Sequence, residues 1–102
     1  MLIYKISDSI VFNALKNIKH GYLEITKTNG QTLKFGNPKD DLNVSIQIKN
    51  ESLTYHLIKS GSIGLGESYM KDFFTTNNLS DLIELTAKNI NIIYKFSGIF
   101  DL

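Results

Sequence analysis

Midway along this chain the spacing of apolar residues changes, and that change limits the folds open to it. Between Gly21 and Lys49 apolar and polar residues alternate almost one by one, whereas from Leu53 onward they recur at every third and fourth position. A period of two describes a strand with one buried face, and a period near 3.6 an amphipathic helix. Strands first and helices after are expected to give an α+β domain, a small antiparallel sheet covered on one face by helices.

The elements can be placed more closely. Ser7 or Asp8 is expected to cap a short first helix in which Ile10, Val11, Ala14, Leu15 and Ile18 share a face, and Gly21 to end it. A strand from Gly21 to Thr28 follows, and Asn29-Gly30 fits a two-residue hairpin turn whose central residues both need positive φ. Gln31 to Phe35 is the expected return strand. After a loop with Pro38, Asp40 and Asp41, the residues Val44, Ile46 and Ile48 alternate with Ser45, Gln47 and Lys49, the clearest strand in the sequence. Ser52 is expected to cap a helix over Leu53 to Lys59, which Ser60-Gly61 stops, and a short helix is expected from Gly66 to Asp72. A last helix starting near Asn78 or Ser80 carries Leu79, Leu82, Ile83, Thr86, Ile90 and Ile93 in one long apolar stripe.

Composition excludes more than it suggests. At 102 residues, 42% hydrophobic and 21% charged, the chain is sized for one globular domain with a single core and no separate nucleotide-binding lobe. A net charge of +1 advertises neither nucleic acid nor an anionic membrane as a partner. The absence of Cys removes disulfides, thiolate catalysis and thiolate metal sites, and all eleven basic residues are Lys, so no guanidinium is available to clamp an anion. Lys5 and Asp8 interrupt the apolar N-terminus, which is unlike a secretory signal, and no window approaches the roughly 18 apolar residues of a membrane span. A cytoplasmic location is therefore expected.

Residues 1–89 are expected to form the main body of the domain, with 90–102 as its apolar C-terminal helix or as a docking tail. Ile90, Ile92, Ile93, Tyr94, Phe96, Ile99, Phe100 and Leu102 make this segment apolar on every side. It either closes the domain's own core or docks on a second subunit or a following domain.

The glycines of Gly61-Ser62-Ile63-Gly64-Leu65-Gly66-Glu67 do not form a nucleotide loop. A phosphate-binding loop closes on Gly-Lys-Ser/Thr, and here Gly66 is followed by Glu67; a dinucleotide loop would leave too little chain to complete its sheet. Gly61, Gly64 and Gly66 are instead expected to supply unusual φ or close approach, and Glu67 to favour a helix start. His20 and His56 have no second ligand or carboxylate at a recognisable spacing, and Asp40 and Asp41 read as a solvated loop.

The run GSIGLGESYMKDFF, Gly61 to Phe74, resembles the signature of the N-terminal domain of bacterial cyclopropane-fatty-acyl-phospholipid synthases. The resemblance extends over about residues 20 to 90, through the Asn29-Gly30 turn, Phe35-Gly36, the Val44 to Ile48 strand, and Leu79 and Asn89 of the last helix. Lys71-Asp72 departs from the family's acidic residue and Gly, and Phe73-Phe74 replaces Trp-Trp, which keeps an apolar wall and loses the indole donors. The resemblance implies a sterol-carrier-protein-like fold whose sheet and helices enclose a cavity for a lipid tail. Leu57, Tyr69, Met70, Phe73, Phe74 and Leu82 are the expected lipid-contacting residues, and Gly61, Gly64, Gly66 and Glu67 carry the motif. The alternative is that these side chains fill one another's space.

In that family a methyltransferase domain follows, which binds adenosylmethionine and transfers a methylene to a phospholipid acyl chain. Its motifs have no positions here. The expectation is a domain without catalysis or cofactor of its own, whose partners are an acyl chain or phospholipid, a methyltransferase domain or a second copy, and the periphery of a membrane.

Overall fold

The computed structural model describes residues 1–97. Helix α1 (Leu2–Leu15) leads into strands β1 (Tyr22–Thr26), β2 (Thr32–Gly36) and β3 (Asn43–Ile48). Helix α2 (Leu53–Met70), strand β4 (Phe74–Thr76) and helices α3 (Leu79–Lys88) and α4 (Ile90–Phe96) complete the order. The α+β class is as the change of period requires.

The sheet runs β2-β1-β3-β4 and is mixed, which corrects the expected antiparallel arrangement. β1 pairs antiparallel with β2 and β3 with β4, but β1 and β3 are parallel, with Leu23 opposite Val44 and Ile25 opposite Ile46. Alternation fixes the face a strand buries and carries no information on its direction. Direction is set by the loop after β2, which crosses the end of β1: Asn37 N–H donates to the Gly21 carbonyl at 3.2 Å, and Tyr22 N–H to the Leu42 carbonyl at 2.8 Å. Asp40, more than a solvated loop residue, pins this crossing by accepting from Leu42 N at 2.9 Å and from Gly21 N at 3.1 Å.

The hairpin also differs from expectation. β1 and β2 are joined by five residues rather than two; Gly30 N–H donates to the Lys27 carbonyl, and Gly30 has positive φ whereas Asn29 does not. Asn29 instead accepts from Gln31 N–H through its side chain at 2.9 Å.

Helix boundaries moved where packing overrode capping signals. α1 begins six residues before Asp8 and ends at Leu15, well short of Gly21. Ser7 and Asp8 are therefore interior: the Ser7 hydroxyl donates to the Ile3 carbonyl at 2.7 Å, and Asp8 accepts from the Thr54 hydroxyl at 2.6 Å, tying α1 to α2. Ser52 stands at the start of α2 without capping it by its side chain, its hydroxyl being given to Asn50 Oδ1. Ser60-Gly61 does stop the first of the two short helices expected around the glycines: Gly61 (φ 55°, ψ −131°) is non-helical, a conformation open to Gly and strained for other residues, and the second stretch begins directly after it rather than at Gly66, so that the two together make the kinked element α2. Asn78 does cap α3, accepting from Asp81 N–H at 3.1 Å. The long last helix divides at Asn89 into α3 and α4.

One face of the sheet forms the main core, where Leu23, Ile25, Phe35, Val44, Ile46 and Ile48 meet Leu82 and Leu85 of α3. Phe74, 1% exposed, adds β4 to this layer; full burial of a side chain of that size contributes roughly 1.5–3 kcal/mol. Val11, Ile58, Ile92 and Phe96 make a second cluster where α1, α2 and α4 converge. The expected apolar tail thus packs Ile92 and Phe96 into the domain itself, and its remaining residues, 98–102, lie outside the described residues.

Candidate functional site

Two apolar voids flank the second half of α2. The first is an interior cavity of about 80 Å³ between the sheet and the helices, walled by residues that include Phe12, Leu15, Ile25, Leu57, Leu85 and Ile92. It is smaller than the roughly 150 Å³ that admits benzene to an engineered cavity. The second is a surface groove of about 510 Å³ between α2 and α3, lined by Tyr69, Met70, Phe74, Leu79, Ile83 and Ile90 among others. Its size falls within the range of small-molecule sites, about 300–1,000 Å³.

The groove exists because of how α2 is built. Beyond Gly61 the second stretch of α2 lines the groove together with α3, and Gly64 packs so closely on the first half of α2 that a Cβ there would overlap the His56 carbonyl oxygen. Gly66, with nothing within 4 Å of a Cβ, lies along the groove. Tyr69 and Phe74 meet with ring centroids 5.7 Å apart and form one end of the apolar lining. On α3 the spacing of Leu79, Leu82, Ile83 and Thr86 presents one stripe to the same space.

The expected lipid-contacting residues are divided between these voids. Tyr69, Met70 and Phe74 line the groove, Leu57 lines the cavity, and Leu82 lines both. Phe73 lines neither; its ring lies 5.6 Å from that of His56. Of the motif residues, Gly61 provides the unusual φ and Gly64 the close approach, while Gly66 has ordinary helical backbone. Glu67 is an exposed residue in the last turns of α2, not at a helix start, because the second stretch of the helix already begins after Gly61.

Ser62, Leu65, Leu79, Thr86, Ala87 and Ile90 also line the groove and are not among the contacts expected from the sequence. Leu79, Thr86 and Ile90 belong to the apolar stripe visible there, and Leu65 is hidden among the glycines but stands one turn before Tyr69.

Chemically the groove offers hydroxyls and no charge. No carboxylate, ammonium or imidazole lines it; its polar side chains are those of Ser62, Tyr69 and Thr86, and Thr86 commits its hydroxyl proton to the Leu82 carbonyl at 2.9 Å. Among the described residues no three of His, Asp and Glu gather to hold a metal ion. No helix among them is long and apolar enough to cross a membrane. The arrangement is made to hold an apolar body by burial.

Fold and groove define a small α+β domain with an apolar surface groove between two helices. A model of the family described as a domain of unknown function (DUF7884) matches residues 10–95, and the chain belongs to that family. No curated protein and no solved structure matches it.

Proposed function

We propose that this domain is a non-catalytic lipid-binding or substrate-presenting module, related to the N-terminal domain of cyclopropane-fatty-acyl-phospholipid synthases. The observation that carries the reading is the groove of about 510 Å³, apolar along its walls and free of ionisable side chains other than the Tyr69 phenol. An acyl chain gains about 0.8 kcal/mol for each methylene it buries in such a site. The GSIGLGESYM run supports the same reading, since it builds the α2 wall through Gly61, Gly64 and Leu65. A sterol-carrier-protein-like likeness, a cytoplasmic location and contact with a membrane periphery belong to this proposal. The test is titration of delipidated protein with a fluorescent fatty acid. Saturable signal displaced by unlabelled palmitate or phospholipid is expected, and a response no larger than that of an unrelated control protein rejects the reading.

A second reading is favoured by exposed apolar side chains away from the groove. Ile63 and Tyr94 are 70% and 71% exposed, which suits a docking module for an adenosylmethionine-dependent methyltransferase domain or for a second copy. Solution mass of the intact chain against Ile63→Ser/Tyr94→Ser distinguishes self-association from none.

A further inference from the structure

We propose that the groove and the interior cavity are one tract for a single linear acyl chain, with Leu65 as the side chain that yields to it and sets the chain length accepted. The inference rests on the reading of the groove as a lipid site. Leu65, Leu82 and Thr86 line both voids, so these three side chains form a partition that the two share.

The shape selects the occupant. A partner's helix, roughly 10–12 Å across with its side chains, could cover the groove but not enter a cavity of about 80 Å³ behind it. A flexible hydrocarbon chain can do both, its first part lying along Met70, Tyr69 and Ile83 and its end passing between the helices.

The two sides of the partition differ. Leu82 is buried in the main core, and Thr86 is bonded back to its own helix, so the α3 side is fixed. Leu65 is only partly buried and packs at the margin of that core. Its backbone is restrained, because the neighbouring Gly64 sits against the His56 carbonyl. The motion required is therefore a rotamer change of one leucine and not a swing of the helix.

The experiment compares octanoate, dodecanoate and palmitate as competitors of a fluorescent fatty acid on delipidated wild type, Leu65→Phe, Leu65→Ala and Thr86→Ile. In wild type, affinity is expected to rise about two- to fourfold per added methylene through to palmitate. Leu65→Phe and Thr86→Ile thicken the partition from opposite helices and should lower the palmitate-to-octanoate affinity ratio by about tenfold, equivalent to one or two methylenes left unburied. Leu65→Ala should raise that ratio. Because Leu65→Ala adds no bulk, it keeps the test valid if a larger residue prevents folding. Ratios equal to wild type in the folded variants overturn the shared tract while leaving lipid binding intact. Failure of all three acids to bind wild type overturns the lipid reading itself.

Discussion

The side-chain amide of Asn89 pairs with the backbone of His20 as a neighbouring strand would, donating to its carbonyl at 2.8 Å and accepting from its N–H at 3.2 Å. It also accepts from Lys19 N–H at 3.1 Å and donates to the Leu85 carbonyl at 2.9 Å. One side chain thus joins the entry to β1, the end of α3 and the start of α4. The chain bends at this residue, and the bend lets Ile92 reach Val11 and Ile58 in the second cluster.

Asn89→Ala is expected to cost about 1–2 kcal/mol in urea unfolding, because it removes four bonds, three of them to the exposed Lys19-His20 backbone, where water can replace them. Asn89→Asp should recover little, since a carboxylate accepts but cannot donate to the carbonyls of His20 and Leu85. A loss below about 0.5 kcal/mol for both, the level of an ordinary surface change, would show that the bend is held by apolar packing instead.

Two glycines of the same run should respond in opposite directions. Gly64→Ala forces a methyl against the His56 carbonyl and is expected to destabilise by about 1–3 kcal/mol or more. Gly66→Ala meets nothing within 4 Å in a helical position and should stabilise by about 0.4–1 kcal/mol. Thermal melts of the two variants read the difference directly.

The crossing loop predicts a pH dependence. Hydrogen bonds from Leu42 N–H first and Gly21 N–H second hold the Asp40 carboxyl below its usual range against the opposing effect of burial, with weaker help from the charges of Lys88 and His20. A carboxyl depressed in the folded state adds stability that is present above the unfolded value, about 3.9, and is lost as pH falls through the folded value. Asp40→Asn should therefore be less stable than wild type at neutral pH, with the gap closing below about pH 4. A gap that stays constant from neutral to acid would assign the loss to geometry alone.

Ile83 separates binding from stability, because it is 59% exposed and yet lines the groove. Ile83→Asp is expected to change unfolding free energy by no more than about 0.5 kcal/mol, as surface substitutions do. It should weaken fatty-acid affinity tenfold or more, about 1.4 kcal/mol, by placing a carboxylate against the hydrocarbon. Unchanged affinity would move the binding site away from α3.

Much of the secondary structure was written locally. The alternation of Val44, Ile46 and Ile48 identified both a strand and its buried face, and the α3 stripe marked the side that meets the groove. The glycine run was equally legible as a place of unusual φ and close approach, which Gly61 and Gly64 supply. These features depend on residues a few positions apart, where period and steric fit leave few alternatives.

What the sequence could not settle depends on contacts between distant segments. The parallel pairing of β1 with β3 follows from a loop that crosses a strand end, and β4 is a three-residue strand because Phe74 finds Ile48 across the sheet. The division of Leu57 from Tyr69 and Met70, placing one in a cavity and two in a groove, arises from the kink at Gly61 and the bend at Asn89 acting together. Apolar pattern tells each side chain to leave water. Only the packing of helix against helix decides whether it meets another side chain or borders an open space.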